Sequence, residues 1–144
     1  MKFVICILAV LTSSFATKFD FDGVLKCDNP KKWCYTVEAK EVDLISNDYI
    51  TEYRNCRDPS KISTNPLTID QNFMGKDHGK YNMTGDQDDD GILDNYFEIA
   101  LFVTHNCTGT EQYIYDDNFE EVPVTSASFR MTKNFNLETN RVMP

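Results

Sequence analysis

The sequence predicts an all-β fold, a two-sheet antiparallel β-sandwich of about seven short strands that is stabilised by disulfides. Apolar and polar residues alternate with a period of two in several stretches, and clusters of turn-forming residues separate these stretches. Four cysteines lie beyond the first 16 residues, and a length of 144 residues suits one domain with its own core. These observations together favour a sandwich.

The first 16 residues have the features of a secretory signal peptide. Lys2 supplies the charged start, residues 3–11 are apolar, and Ser14-Phe15-Ala16 has the small-x-small pattern of a cleavage site. The apolar run is shorter than the roughly 20 residues that a membrane span needs. We therefore expect a mature domain over residues 17–144 that is soluble, secreted and extracellular, with no membrane span.

The chain is acidic, with 14 basic and 23 acidic side chains and a net charge of −9. Loss of Lys2 with the signal peptide moves the net charge of the mature domain to −10. An acidic protein repels polyphosphate, so nucleic acid is excluded as a partner. The charge favours solubility.

The strand predictions rest on alternation and composition. In residues 96–107, Phe97, Ile99 and Leu101 share one face, and aromatic and β-branched residues dominate. A helix is the alternative there, because Phe97, Leu101 and His105 also recur at helical spacing, but the all-β surroundings favour a strand. Pro123 indicates an edge strand. The predicted strands cover residues 19–27, 33–42, 48–56, 79–85, 96–107, 112–115, 122–131 and 134–137.

Two stretches are predicted to lie outside the main strands. Residues 57–76 are rich in Pro, Ser, Asn, Asp and Thr and predict a long loop, with a short element around residues 67–73. The tail beyond residue 137 is predicted to be loose.

The four cysteines Cys27, Cys34, Cys56 and Cys107 predict two disulfides, and three connectivities are open from the sequence alone. The absence of Cys-x-x-Cys spacing argues against zinc. If strand 33–42 pairs antiparallel with strands 48–56 and 96–107, Cys34 meets Cys56 and Cys27 meets Cys107. Each bridge would then contribute about 2–4 kcal/mol.

Two sequons are candidate N-glycosylation sites, Asn82-Met83-Thr84 and Asn106-Cys107-Thr108. The second is the less convincing, because a bridge would hold Cys107.

Three segments, taken in order, resemble the nematode transthyretin-like secreted proteins. They are GVLKC at residues 23–27, DHGKYNMTG at residues 77–85 and HNC at residues 105–107. The family typically reads G-x-L-x-C, then D-x-x-G-x-F-x-L-x-G, then a strand that ends in H-x-C. Tyr81 and Met83 take the aromatic and apolar places, and Asn136-Leu137 is similar to the family's closing Asn-Leu. The chain departs from the family in its long 57–76 connection, in its aspartate-rich loop, in the lack of cysteines after Cys107, and in Cys34 and Cys56.

The resemblance implies a transthyretin-like sandwich that acts as a secreted extracellular binding or adaptor protein with no assigned ligand, and not as an enzyme. Its partner would be a small hydrophobic ligand or an extracellular or cell-surface protein, and the chain would be a monomer or weak homodimer. The superfamily enzyme 5-hydroxyisourate hydrolase uses histidines and an arginine and ends in Tyr-Arg-Gly-Ser. This chain ends in Arg-Val-Met-Pro and has only His78 and His105. We expect a structural hydrogen-bonding role for His105 and a solvated His78, so hydrolase activity is the weakest of the alternatives.

The alternative function is extracellular calcium binding by the loop DQDDDGILD at residues 86–94. Its oxygen ligands would come from the carboxylates of Asp86, Asp88, Asp90 and Asp94 and from the carbonyl of Ile92. The pattern is similar to dockerin and thrombospondin loops, whereas an EF-hand would need a glutamate at position 97 and Phe97 stands there. Ca²⁺ would bind at about 10⁻⁴–10⁻³ M. The competing interpretation is a solvated acidic turn.

Overall fold

The computed structural model describes residues 16–43, 47–61, 78–88 and 95–144. The predicted signal peptide lies outside the described residues except for Ala16, and the predicted element at residues 67–73 lies wholly outside them. The described ranges hold one 3₁₀-helix, Pro59–Lys61, and ten strands. The strands are β1 (Thr17–Lys26), β2 (Trp33–Val42), β3 (Asn47–Arg57), β4 (His78–Gln87), β5 (Tyr96–His105), β6 (Gln112–Tyr115), β7 (Glu120–Pro123), β8 (Ser128–Thr132), β9 (Asn134–Asn136) and β10 (Arg141–Met143).

The first sheet has the strand order β10-β9-β1-β4, and β8 also pairs with β1. Strand β1 pairs antiparallel with β4 along its whole length. On its other side β1 pairs parallel with β8 and then with β9. The prediction of a wholly antiparallel sandwich is therefore wrong for these two pairs. Parallel neighbours need a crossover connection, and the passage of the chain through the second sheet supplies it.

The second sheet has the order β3-β2-β5-β6, with β7 also paired to β5, and all of its pairs are antiparallel. Strands β6 and β7 lie end to end along one edge of β5. Pro123 is the last residue of β7 and lies opposite Tyr96, so it lies on an edge strand as predicted.

The predicted strand at residues 122–131 is wrong as a single element. It is two strands, β7 in the second sheet and β8 in the first, separated by a turn in which the Ser126 N–H donates to the Pro123 carbonyl at 2.8 Å. The tail also contains β10, which pairs antiparallel with β9 and was predicted to be loose. These short elements raise the number of strands from about seven to ten in the part of the chain that the structure describes.

The core lies between the facing sheets. Phe19 from the first sheet meets Phe97 from the second edge to face, with ring centroids 5.5 Å apart. Burying each large apolar side chain stabilises the fold by about 1.5–3 kcal/mol. The largest fully buried side chains include Trp33, Phe19, Phe21, Phe97, Phe135, Leu25, Ile99, Leu101 and Leu137.

Two disulfides join the strands, and their pairing is the one that the proposed strand order implies. Cys27–Cys107 links the end of β1 in the first sheet to the residues after β5 in the second, with the two Cα atoms 5.9 Å apart. Cys34–Cys56 links the neighbouring strands β2 and β3 within the second sheet. One bridge therefore holds the sheets together, and the other fastens an outer strand.

Two glycines of the segments that carry the family resemblance allow close packing. A Cβ atom on Gly23 would lie 1.8 Å from the carbonyl oxygen of Lys133 and 2.7 Å from the ring of Tyr81. A Cβ atom on Gly79 would lie 2.7 Å from the ring of Tyr35. Both positions exclude any larger side chain unless the neighbouring groups move.

Among the described residues, no helix has the length and apolar content needed to cross a bilayer.

Candidate functional site

The predicted calcium loop begins at one end of the sandwich. Asp86 lies near the end of β4 and Asp88 directly follows that strand, and both are exposed. Asp90, Ile92 and Asp94 lie outside the described residues. The structure therefore fixes where the predicted loop begins.

A second acidic group, which the sequence reading missed, lies beside that position. Glu41, Asp43 and Asp48 bring carboxylate oxygens within 4.8 Å of one another. Glu41 is fully buried, and its Oε2 accepts a hydrogen bond of 3.3 Å from Nε2 of Gln87. Gln87 separates Asp86 from Asp88 in the chain. This acidic end of the sandwich thus joins the β2–β3 connection to the start of the predicted calcium loop.

The signal for Glu41 was present in the alternation of β2. Trp33, Tyr35, Val37 and Ala39 face the core, so the next residue on the same face is Glu41. A carboxylate loses hydration when it is buried and becomes costly unless it gains compensating partners. Carboxylate oxygens are the ligands that Ca²⁺ prefers. The acidic end therefore has ligands of the right chemical type for a divalent cation.

The outer face of the second sheet carries a groove at the opposite end. The groove has a volume of about 390 Å³ and surrounds the Cys34–Cys56 disulfide. The strand registers place its side chains in rows, with Thr36 opposite both Arg54 and Thr104. The groove is open, and its other lining residues include Asn55, Asn106 and Glu111.

An aromatic surface adjoins the groove on the same face. The rings of Phe102 and Tyr115 are 4.7 Å apart, and Nζ of Lys40 lies 4.8 Å from the Phe102 ring centroid. Tyr113 is 67% exposed and Tyr115 is 49% exposed. Tyrosines with an apolar ring and a polar tip are enriched at protein interfaces. We refer to Phe102, Tyr113 and Tyr115 as the aromatic patch.

His105 is buried and belongs to a hydrogen-bond network that reaches the surface. Its Nδ1 accepts the Cys107 N–H at 3.3 Å, and its Nε2 then donates to Oδ1 of Asn140 at 2.9 Å. Nδ2 of Asn140 donates to Gln112 at 2.8 Å, and Asn140 has a left-handed backbone with φ of 52°. Burial lowers the pKa of His105. Both ring nitrogens are engaged in structural bonds, so His105 holds strand ends and the C-terminal turn together.

His78 is the first residue of β4 and is half-buried. The sequence led us to expect a solvated His78, and the structure places its side chain between buried and exposed.

The two sequons differ in their surroundings. Asn82 is exposed on β4. Asn106 is also exposed, but its Oδ1 accepts the Cys34 N–H at 2.7 Å and its own N–H donates to the Cys34 carbonyl at 3.2 Å. Glycosylation at either asparagine stays a prediction.

The chain is similar along nearly its whole length to a protein from Caenorhabditis elegans described as "Uncharacterized protein B0416.7". The two are 26% identical over 140 residues, which cover 95% of this chain and 93% of the relative. No family model matches the chain. No solved structure matches it either.

Proposed function

We propose that this chain is a secreted, extracellular binding or adaptor protein of the transthyretin-like type. The observation that carries the proposal is that residues on which the family resemblance rests contact one another in the folded chain. Gly23 packs against the Lys133 carbonyl and Tyr81, and Cys27 bridges to Cys107 next to His105. Two disulfides also favour an oxidising, extracellular compartment.

The binding surface that we assign is the groove together with the aromatic patch. The inner faces of the sheets are filled by core side chains, which disfavours a small hydrophobic ligand between them. The outer face instead offers exposed tyrosine rings beside polar and charged groups of both signs. Such a surface suits an extracellular or cell-surface protein partner.

The test is saturable binding of the tagged, disulfide-intact protein to the surfaces of intact nematode cells. A Tyr113→Ala, Tyr115→Ala variant should weaken binding about tenfold or more if both rings are central contacts. The matched control is Lys18→Ala, Asp20→Ala, which removes an exposed ion pair on the first sheet. Binding that is unsaturable, or that both variants reduce equally, would contradict the proposal.

The proposal assigns no catalytic activity to the chain. A histidine that acts as a general acid or base needs a ring nitrogen free to exchange a proton with the substrate. His105 has neither nitrogen free in this arrangement. Measurable turnover of 5-hydroxyisourate by the purified protein would overturn this part of the proposal.

Calcium binding at the acidic end is the second candidate function. The observation that favours it is the grouping of Glu41, Asp43 and Asp48 beside Gln87, where the predicted loop begins. Isothermal titration should detect Ca²⁺ binding at about 10⁻⁴–10⁻³ M. An Asp88→Ala, Asp90→Ala variant tests the loop, and Asp48→Asn tests the β2–β3 group. A titration without heat and a melting temperature indifferent to millimolar Ca²⁺ would exclude the site.

A further inference from the structure

Strand β3 forms one edge of the second sheet in the part of the chain that the structure describes. It runs over 11 residues, Asn47–Arg57, and pairs there with β2 alone. Arg54, Asn55 and Cys56 are all exposed. A long edge strand presents backbone N–H and C=O groups that can pair with another strand.

The hydrogen bonds of Cys34 show which groups of β3 point outward. The N–H and the carbonyl of Cys34 both bond to Asn106, on the side of β2 away from β3. Cys34 and Cys56 are therefore a non-hydrogen-bonded pair, as their Cα separation of 4.0 Å also indicates. Because the pattern alternates, the backbone groups of Glu52 and Arg54 point away from β2. The Cys56 N–H is occupied by its neighbour, since it donates to Oδ1 of Asn55 at 2.8 Å.

The side chains on this edge have self-complementary charges. Glu52 and Arg54 lie two residues apart on the same face, and their charged atoms are 2.7 Å apart. The Arg54 side chain is 67% exposed and the Glu52 side chain 31%. If two copies of β3 pair antiparallel with Tyr53 at the centre, each Glu52 lies opposite Arg54 of the second copy. Opposite charges on directly opposed residues stabilise a strand pair.

Other symmetric registers that use the outward-pointing backbone groups fit less well, since a centre at Glu52 or Arg54 opposes like charges. A centre at Asn55 places Glu52 opposite Asp58 and opposes Arg54 to Cys56, whose N–H is occupied. A centre at Thr51 would pair Glu52 with Ile50, which is the extra residue of the β3 bulge and interrupts the regular hydrogen-bond pattern. The register centred on Tyr53 avoids these problems. Its strand pairing stops before Cys56, whose N–H already bonds to Oδ1 of Asn55.

We propose that β3 is a homodimerisation edge, where it pairs antiparallel with β3 of a second copy around Tyr53. The pairing joins the second sheets of the two copies into one continuous sheet. The outward backbone groups of Glu52 and Arg54 supply the hydrogen bonds, and the two Glu52–Arg54 contacts across the dimer fix the register. The groove lies beside this edge, so the dimer brings two grooves close together.

The test is sedimentation equilibrium of the disulfide-intact protein over a range of concentrations up to about 0.5 mM, where even weak association becomes measurable. The wild type should shift from the chain mass toward twice that mass. Glu52→Arg and Arg54→Glu each oppose like charges at two symmetric contacts, so each should raise the dissociation constant about tenfold or more. The double variant Glu52→Arg, Arg54→Glu restores opposite charges and should return the constant to within about threefold of the wild type. Arg130→Glu, at an exposed ion pair on the first sheet, is the charge-matched control and should leave the constant unchanged.

A backbone variant separates strand pairing from charge. Arg54→Pro removes an N–H that points away from β2, so β3 should stay paired with β2 while dimerisation is lost. Far-ultraviolet circular dichroism and a thiol count check that the fold and both bridges are intact. If Arg54→Pro does not fold, the charge series decides by itself. A wild type that stays monomeric throughout, or a double swap that fails to recover association, would overturn the proposal.

Discussion

Lys133 and Asp116 form a buried ion pair that joins the two sheets. Asp116 follows β6 in the second sheet, and Lys133 lies between β8 and β9 in the first. The side chains are 1% and 12% exposed, respectively, and Nζ of Lys133 also donates to the Asn118 carbonyl at 2.7 Å. The backbone of Lys133 is equally engaged, since its carbonyl accepts the Tyr81 hydroxyl at 2.8 Å. One residue thus connects the edge of the second sheet to the centre of the first.

Removing Asp116 should strongly destabilise the fold. Asp116→Ala leaves the Lys133 ammonium with only the exposed Glu120 carboxylate, whose Oε1 lies 3.9 Å away. Breaking a buried pair from one side costs about 3–5 kcal/mol, and we expect a loss near the lower end of that range. Urea denaturation gives the free energy of unfolding. Asp20→Ala, which breaks an exposed pair with Lys18, is the control and should cost less than about 1 kcal/mol. Equal losses of unfolding free energy in the two variants would show that the buried ion pair stabilises the fold no more than an exposed one.

Gly23 should not tolerate alanine. The added methyl group would overlap the Lys133 carbonyl oxygen at 1.8 Å, and that oxygen belongs to backbone that Tyr81 holds in place. We expect a loss of about 3 kcal/mol in the free energy of unfolding, because overpacking forces the backbone to shift.

Gly109→Ala is the comparison for this prediction. Gly109 has a left-handed backbone with φ of 93° but open space around it, so alanine should cost only about 1–2 kcal/mol from backbone strain. A Gly23→Ala loss no greater than that of Gly109→Ala would contradict the close-packing explanation.

The alternation of the sequence was enough to predict both a central strand and an edge strand of the second sheet. The prediction for residues 33–42 matches β2, and that for residues 112–115 matches β6. The structure confirms the disulfide pairing that we expected from the supposed strand order, because Cys34 lies opposite Cys56 in register. In these places the local pattern and the tertiary contacts agree.

The features that escaped prediction depend on contacts between residues far apart in the chain. Strand β8 joins β1 in parallel across more than a hundred residues, and a single alternating run could not show that β7 and β8 belong to different sheets. Lysine and glutamate are rarely buried, so neither Lys133 nor Glu41 was identified as an inward-facing residue. The sequence pointed to only one part of the acidic end, because folding and not sequence proximity brings Glu41, which lies with Asp43 and Asp48, to Gln87.

The two disulfides should differ in their contribution to stability. Cys27–Cys107 spans a sequence separation of 80, and Cys34–Cys56 spans 22. In the chain-entropy model these loops correspond to about 4.5 and about 3.4 kcal/mol, respectively. Replacing Cys27 and Cys107 by alanine also removes buried sulfur atoms from the core, whereas Cys56 is exposed. Urea denaturation of the two double-alanine variants should therefore show the larger loss for Cys27–Cys107, and the reverse order would contradict this account.

His105 should make the fold less stable as the pH falls. Its pKa in the folded protein is lowered from 6.5 by burial, so the unfolded chain binds the proton more readily. The contribution of neutral His105 is fully present above pH 6.5 and is lost as the pH falls from there to the lowered folded pKa. The slope cannot exceed about 1.4 kcal/mol per pH unit for one proton. Urea denaturation between pH 7.5 and about pH 5 measures it. His105→Gln should remove this dependence while His78→Gln retains it, and an equal slope in wild type and His105→Gln would assign the dependence to other groups.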